Sequence, residues 1–86
     1  MEQYQKDQLQ TLVNSLVEKR SGEYTAADKY RQLAGIADQL EEYGTSAVLS
    51  GIAADEERHF RELDNIILSL TAKLDELGGS AVYGTY

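Results

Sequence analysis

The chain contains no cysteine, no proline and no tryptophan, and only one phenylalanine, among its 86 residues. Without cysteine, neither a disulfide bond nor a thiolate-ligated metal can stabilise the fold. A chain of this length is near the lower limit for folding on its own hydrophobic core. We therefore expect reinforcement by association with another chain, or by a metal held through oxygen and nitrogen ligands.

Basic residues are also scarce, with 8 Lys and Arg against 15 Asp and Glu and a net charge of −7. This balance argues against binding to a nucleic-acid backbone, which needs clusters of basic residues. No apolar run approaches the length of about 20 residues that a membrane span requires. The polar segment 1–10 does not resemble a secretory signal peptide. We therefore expect a cytoplasmic protein that binds neither nucleic acid nor membrane.

The absence of proline and the abundance of Leu, Ala, Glu, Gln and Lys favour long helices. Apolar residues recur at helical intervals in both halves of the chain. In the second half they predict a helix from about Thr45 to Leu77. In the first half they predict one long helix from about Gln3 to Leu40, weakened or kinked at Gly22, with a break there into two helices as the alternative.

The predicted fold is all-α, an antiparallel two-helix hairpin over residues 1–77. The turn is expected within residues 41–46, with Gly44 as the helix breaker and Thr45 or Ser46 as the next N-cap. Gly78 and Gly79 predict a helix stop and a flexible tail over residues 78–86. Such a hairpin has an apolar face with nothing of its own to cover it, so we expect two copies to form a four-helix bundle.

Three ionisable residues interrupt the apolar pattern. Glu56 stands in a leucine series, His59 in an isoleucine series, and Glu23 continues a leucine series in the first helix. An unpaired buried carboxylate is costly and normally gains a proton, a partner or a metal. Glu56 and His59 are one helical turn apart on one face. Together with Glu23 they form a ligand set for a divalent transition metal, and Tyr30, two turns after Glu23, could hydrogen-bond a carboxylate ligand.

The remaining charged residues are predicted to face water. Lys19 and Arg20 should extend outward from the apolar stripe, and Arg58 and Arg61 should lie on the opposite face of the second helix. Glu57 is also expected to be solvated, with a bridging role at the metal site as the alternative because it is adjacent to Glu56. Further surface charges are predicted at Glu41, Glu42, Asp55, Glu62 and Asp64, whereas Phe60 is predicted to be core.

The segment EYTAADKYRQLAGIADQLEEYGTSAVLSGIAADEERHFRELDNI resembles the ferritin-like superfamily, which includes bacterioferritins and rubrerythrins. The resemblance lies in Glu-x6-Tyr, from Glu23 to Tyr30, and in Glu-x-x-His, from Glu56 to His59. With one Glu-x-x-His helix, the chain is most similar to the encapsulated ferritins, which are two-helix half-ferritins. The resemblance implies that Glu23, Glu56 and His59 are iron ligands and that Tyr30 lies beside the site.

The same resemblance implies a ferroxidase that oxidises Fe(II) to Fe(III) at a di-iron site between two copies, with manganese as a possible metal. It also implies a ring-like homo-oligomer that serves iron storage inside an encapsulin shell. Two alternatives remain open: a rubrerythrin-like peroxidase or dimanganese catalase, and a metal-free helical adaptor. To bring Glu23 level with Glu56 and His59, the turn should be centred near residue 40, several residues before Gly44.

Overall fold

The computed structural model describes residues 2–78, and over this range it contains two helices and no strand. Helix α1 spans Glu2–Gln39 and helix α2 spans Tyr43–Glu76. The two helices pack against each other in an antiparallel hairpin that measures 58 by 19 by 15 Å. The all-α hairpin expected from the sequence is therefore confirmed. Of the predicted tail, residues 79–86 lie outside the described range.

Helix α1 continues through Gly22 as one element of 38 residues. The alternative of a break at this position is therefore wrong. A glycine inside a helix costs only about 1 kcal/mol relative to alanine, and the flanking turns continue the same apolar face. Since nothing lies within 4 Å of the position a Cβ would take at Gly22, packing does not require a glycine there either.

The turn follows directly after α1 and differs from the predicted one. The Glu42 N–H donates to the Ala37 carbonyl at 2.8 Å, and the Glu41 N–H donates to the Asp38 carbonyl at 3.0 Å. Glu41 has a φ of 60°, in the left-handed region. These are the two hydrogen bonds and the backbone conformation of a Schellman motif, which satisfies the last carbonyls of a helix.

Helix α2 begins at Tyr43, so Gly44 lies inside its first turn and is not the helix breaker that the sequence predicted. The predicted N-cap at Thr45 or Ser46 is also wrong. Glu42 occupies the N-cap position, and its side chain makes no capping hydrogen bond. At its other end, α2 finishes at Glu76, close to the predicted Leu77. Gly78 follows with a φ of 82°, in the left-handed region.

The buried core between the helices is small and rich in alanine: it consists of Val13, Ala27, Ala34, Ala37, Ala53, Ile67 and Leu74. Many larger apolar side chains stay partly or largely exposed, among them Leu12, Leu33 and Ile66. Phe60, predicted as core, is only partly buried. The apolar stripe on each helix is therefore wider than one partner helix can cover.

Neither α1 nor α2 combines the length and the apolar character that crossing a bilayer would require.

Candidate metal centre

Glu23 on α1 meets Glu56 and His59 on α2 near the middle of the hairpin. Each of the three offers one ligand atom, and these atoms all lie within 4.8 Å of one another. Helical periodicity places Glu56 and His59 on one face, because they are three residues apart. Glu23 and His59 are equally far along the chain from Glu41, so a turn at Glu41 brings the two helices to the same level. We refer to Glu23, Glu56 and His59 as the metal triad.

The triad lies at an open edge of the helix interface. The side chain of Glu23 is 25% exposed and that of His59 is 43% exposed. Glu56 is partly buried as well. The apolar pattern of the sequence predicted that these residues point into the core. In the single chain they are only partly buried. Any ligand that completes the site must therefore come from the solvent side.

One carboxylate oxygen of the triad is hidden without a partner. Glu23 Oε2 is buried and accepts no hydrogen bond from the described residues. The nearest nitrogen of the triad, His59 Nδ1, is 3.6 Å away, which is beyond hydrogen-bond distance. A buried polar atom left unsatisfied in this way calls for an explanation such as an ion.

The Glu23 carboxylate raises the pKa of Glu56 above its ordinary value. The main cause is that a protonated Glu56 can donate a hydrogen bond to Glu23, which favours the protonated form. Partial burial and repulsion between the two carboxylates act in the same direction, and the nearby His59 acts against them. A divalent cation between the two carboxylates would remove their repulsion and favour the ionised form, in which carboxylates bind metals.

A cleft of about 370 Å³ leads from solvent to the two carboxylates. Its lining consists of Glu18, Lys19, Gly22, Glu23 and Glu56. The absence of a side chain at Gly22 helps to keep this approach open, since a Cβ there would meet nothing within 4 Å. Tyr30 is partly buried two turns further along α1, outside the group of converging ligand atoms, so its predicted role beside the site stays a prediction.

Two ion pairs lie across the helix interface, on the side away from the triad. Arg31 donates two hydrogen bonds to Glu57, from Nε at 3.1 Å and from Nη2 at 2.6 Å. Arg20 Nη1 donates to Asp64 Oδ1 at 2.6 Å. The hydrogen bond from Arg31 lowers the pKa of Glu57, and the same bond raises the pKa of Arg31.

These pairs correct one prediction. Arg20 was expected to extend into water, yet its side chain is only 13% exposed. Glu57 and Asp64 lie at the surface as expected, with side chains 42% and 39% exposed, and each also accepts a hydrogen bond from an arginine of α1. Sequence reasoning missed both pairs because a charged residue among other polar residues gives no sign of whether it is paired or solvated. Arg58 and Arg61 are exposed, as predicted.

No protein-family model, no curated protein and no solved structure matches this chain. The resemblance to ferritin-like proteins therefore rests on the motifs quoted above.

Proposed function

We propose that this chain is a ferroxidase of the ferritin-like superfamily, which oxidises Fe(II) to Fe(III) at a di-iron carboxylate site between two identical subunits. The observation that carries the proposal is the convergence of Glu23, Glu56 and His59 from two helices, with their ligand atoms within 4.8 Å of one another. The resemblance to encapsulated ferritins supplies the reaction.

The donor atoms suit iron. Carboxylate oxygens and a neutral imidazole nitrogen bind divalent first-row metals, and carboxylates also tolerate the ferric state. The buried Glu23 Oε2 supplies a lone pair that no hydrogen bond within the described residues uses. These features support a metal site over a metal-free adaptor, in which His59 would be expected to make a proper hydrogen bond with Glu23.

One chain provides half of a di-iron ligand set. Di-iron carboxylate bundles use one Glu from each of two helices and one Glu-x-x-His from each of the other two. This chain offers Glu23 on α1 and the Glu56/His59 pair on α2, so a second copy related by a two-fold axis would complete the set. Leu33 and Ile66, which lie on the same side of the hairpin as the triad, are 37% and 47% exposed. Pairing would cover them.

In the proposed reaction Fe(II) is the substrate. Each Fe(II) loses one electron. Two Fe(II) reduce dioxygen to hydrogen peroxide with two protons from solvent, and two Fe(II) with two further protons reduce hydrogen peroxide to two molecules of water. The two carboxylates stabilise the additional positive charge of Fe(III). His59 adds a neutral ligand, which limits the negative charge gathered at the site.

Storage of the ferric product requires a container, because two helices enclose little volume. By its resemblance to encapsulated ferritins, we propose that the chain forms a ring-like homo-oligomer that works inside an encapsulin shell.

The direct test is to add Fe(II) aerobically and to follow ferric absorbance. We expect His59→Ala and Glu56→Ala to oxidise iron at least about tenfold more slowly than the wild type, since even the loss of a group that only supports a metal ligand costs 10–100-fold. Arg58→Ala is the matched control, because Arg58 is exposed and adjacent to His59 in sequence.

Equal rates in all four proteins would reject the proposal. Bound manganese with catalase or peroxidase activity, and without turnover of iron, would replace it with the alternative enzyme.

A further inference from the structure

The two ion pairs opposite the triad connect one helix to the other. Arg31 donates hydrogen bonds to both carboxylate oxygens of Glu57, and Arg20 donates a hydrogen bond to Asp64. Several other polar contacts, such as that between Arg58 and Asp55, lie within a single helix. Contacts within one helix do not constrain how the helices align, whereas contacts between helices do.

The two pairs bracket Glu23 and His59 along the hairpin. On α1, Glu23 lies between Arg20 and Arg31, which are about 16.5 Å apart at 1.5 Å rise per residue. On α2, His59 lies between Glu57 and Asp64, and Glu56 directly precedes Glu57. Any sliding or rotation of one helix against the other at the level of the triad would therefore strain at least one pair.

Apolar packing near the triad gives little control of this alignment. The buried apolar residues from the level of the triad to the turn are alanines, at Ala27, Ala34, Ala37 and Ala53, and the small Ser46 is buried beside them. The larger core residues, Val13, Ile67 and Leu74, lie towards the opposite end of the hairpin. Hydrophobic attraction is non-directional, so flat alanine surfaces hold helices together without fixing one register. A bidentate arginine–carboxylate pair, in contrast, has a defined geometry.

We infer that Arg31–Glu57 and Arg20–Asp64 are positioning pairs, which set the register of α1 against α2 and thereby hold Glu23 within reach of Glu56 and His59. Functional sites need their groups placed within about 0.5 Å. A slip of one residue moves a helix by about 1.5 Å and turns its side chains by about 100°. The inference rests on the proposed function wherever it concerns metal affinity, and on the hairpin alone wherever it concerns alignment.

The sign of the effect on cation affinity tests the inference. Removing a positive charge should strengthen cation binding if long-range electrostatics were the only consequence. We expect Arg31→Gln to weaken Co(II) binding instead, by roughly tenfold, as for the loss of groups that orient metal ligands. Arg58→Gln removes the same charge from a pair within α2 and should leave binding unchanged or slightly stronger. Calorimetric titration with Co(II) measures all three proteins without oxidation of iron.

A second measurement needs no metal. In the metal-free protein we expect nuclear Overhauser contacts between the side chains of Glu23 and His59 in the wild type and in Arg58→Gln, and their loss in Arg31→Gln. The charge-swapped variant R31E/E57R should recover these contacts, and with them the Co(II) affinity, because it restores the pair in reverse.

The outcomes separate the two ideas. If Arg31→Gln keeps the contacts and binds Co(II) as Arg58→Gln does, the positioning role is wrong and the metal site stands. If the wild type binds no Co(II) but loses the contacts on substitution of Arg31, the proposed function fails and the positioning role stands. Failure of the charge swap to restore the contacts would also overturn the inference.

Discussion

At the scale of single residues, Glu23 and Glu56 bring two carboxylates into contact. In the absence of a cation this arrangement disfavours the doubly ionised state, and the raised pKa of Glu56 is its signature. Groups with perturbed pKa values of this kind gather at functional sites. The site is therefore less stable without its ligand than a neutral pair would be.

This repulsion predicts a pH dependence for the metal-free protein. Because the pKa of Glu56 is higher in the folded than in the unfolded chain, the folded state binds more protons between the two values. The contribution of Glu56 to the free energy of unfolding is thus full below its unfolded pKa of about 4.3, and it is lost as pH rises through the folded value. The Glu56→Gln variant does not lose this stabilisation as pH rises, because its amide stays neutral. The amide can also donate a hydrogen bond to Glu23.

We therefore expect Glu56→Gln to melt at a higher temperature than the wild type at pH 7.5 in chelator, and to bind metal far more weakly. Thermal unfolding by circular dichroism between pH 4 and pH 8 measures the first effect. Glu57→Gln is the control with the opposite sign, since Arg31 lowers the pKa of Glu57 and its contribution to stability is lost as pH falls. A metal-free Glu56→Gln protein that melts below the wild type at pH 7.5 would contradict the argument.

The sequence revealed the triad but not the ion pairs, for a physical reason. Glu23, Glu56 and His59 stand out because each is a polar residue in an apolar series. Arg31 and Glu57 stand in polar surroundings, where nothing distinguishes a paired charge from a solvated one. Only the position of the turn decides which charges on α1 meet which charges on α2.

At the scale of the helices, the apolar periodicity predicted both helices correctly. The errors concerned the turn between them, where the predicted helix breaker and N-cap were wrong. Gly44 suggested the turn because glycine favours left-handed backbone. The chain instead uses Glu41 in that conformation, with a φ of 60°. The Schellman hydrogen bonds of Glu41 and Glu42 stabilise a glutamate at a position where glycine is the usual residue.

This turn makes a prediction about stability. A non-glycine residue in the left-handed region costs about 1–2 kcal/mol, which glycine avoids at the expense of some unfolded-state entropy. We expect Glu41→Gly to raise the free energy of unfolding by up to about 1 kcal/mol. Glu42→Gly, at a φ of −91°, should lower it. Urea unfolding of both variants tests this, and a destabilised Glu41→Gly variant would contradict it.

At the scale of the whole molecule, the hairpin is only 15 Å thick in its narrowest dimension, and its buried core is mostly alanine. So small a core gives limited stability. Some of the larger exposed apolar side chains, among them Leu33 and Ile66, lie on the same side as the triad, where a second copy would cover them. The proposed dimer therefore serves both stability and metal binding.

Two exposed residues of α2 allow a matched test of that dimer. Ile66 follows His59 by two helical turns on the same face, whereas Leu68 points to the opposite side, and they are 47% and 62% exposed. We expect Ile66→Lys to weaken dimerisation at least about tenfold, because an unpaired ammonium group would be buried at the interface. Leu68→Lys should have little effect. Sedimentation velocity with Co(II) present measures this, and equal behaviour of the two variants would argue against the proposed face.

The triad also sits near the midpoint of each helix: Glu23 lies close to the centre of Glu2–Gln39 and His59 close to the centre of Tyr43–Glu76. A two-fold axis relates a surface to itself only about the middle of the shared contact. In the proposed dimer, an axis through centrally placed ligands lets two rods of equal length overlap from end to end. Ligands near one tip would leave half of each rod protruding into water. The place of these three residues along the chain thus constrains the outline of the assembly as well as the chemistry at its centre.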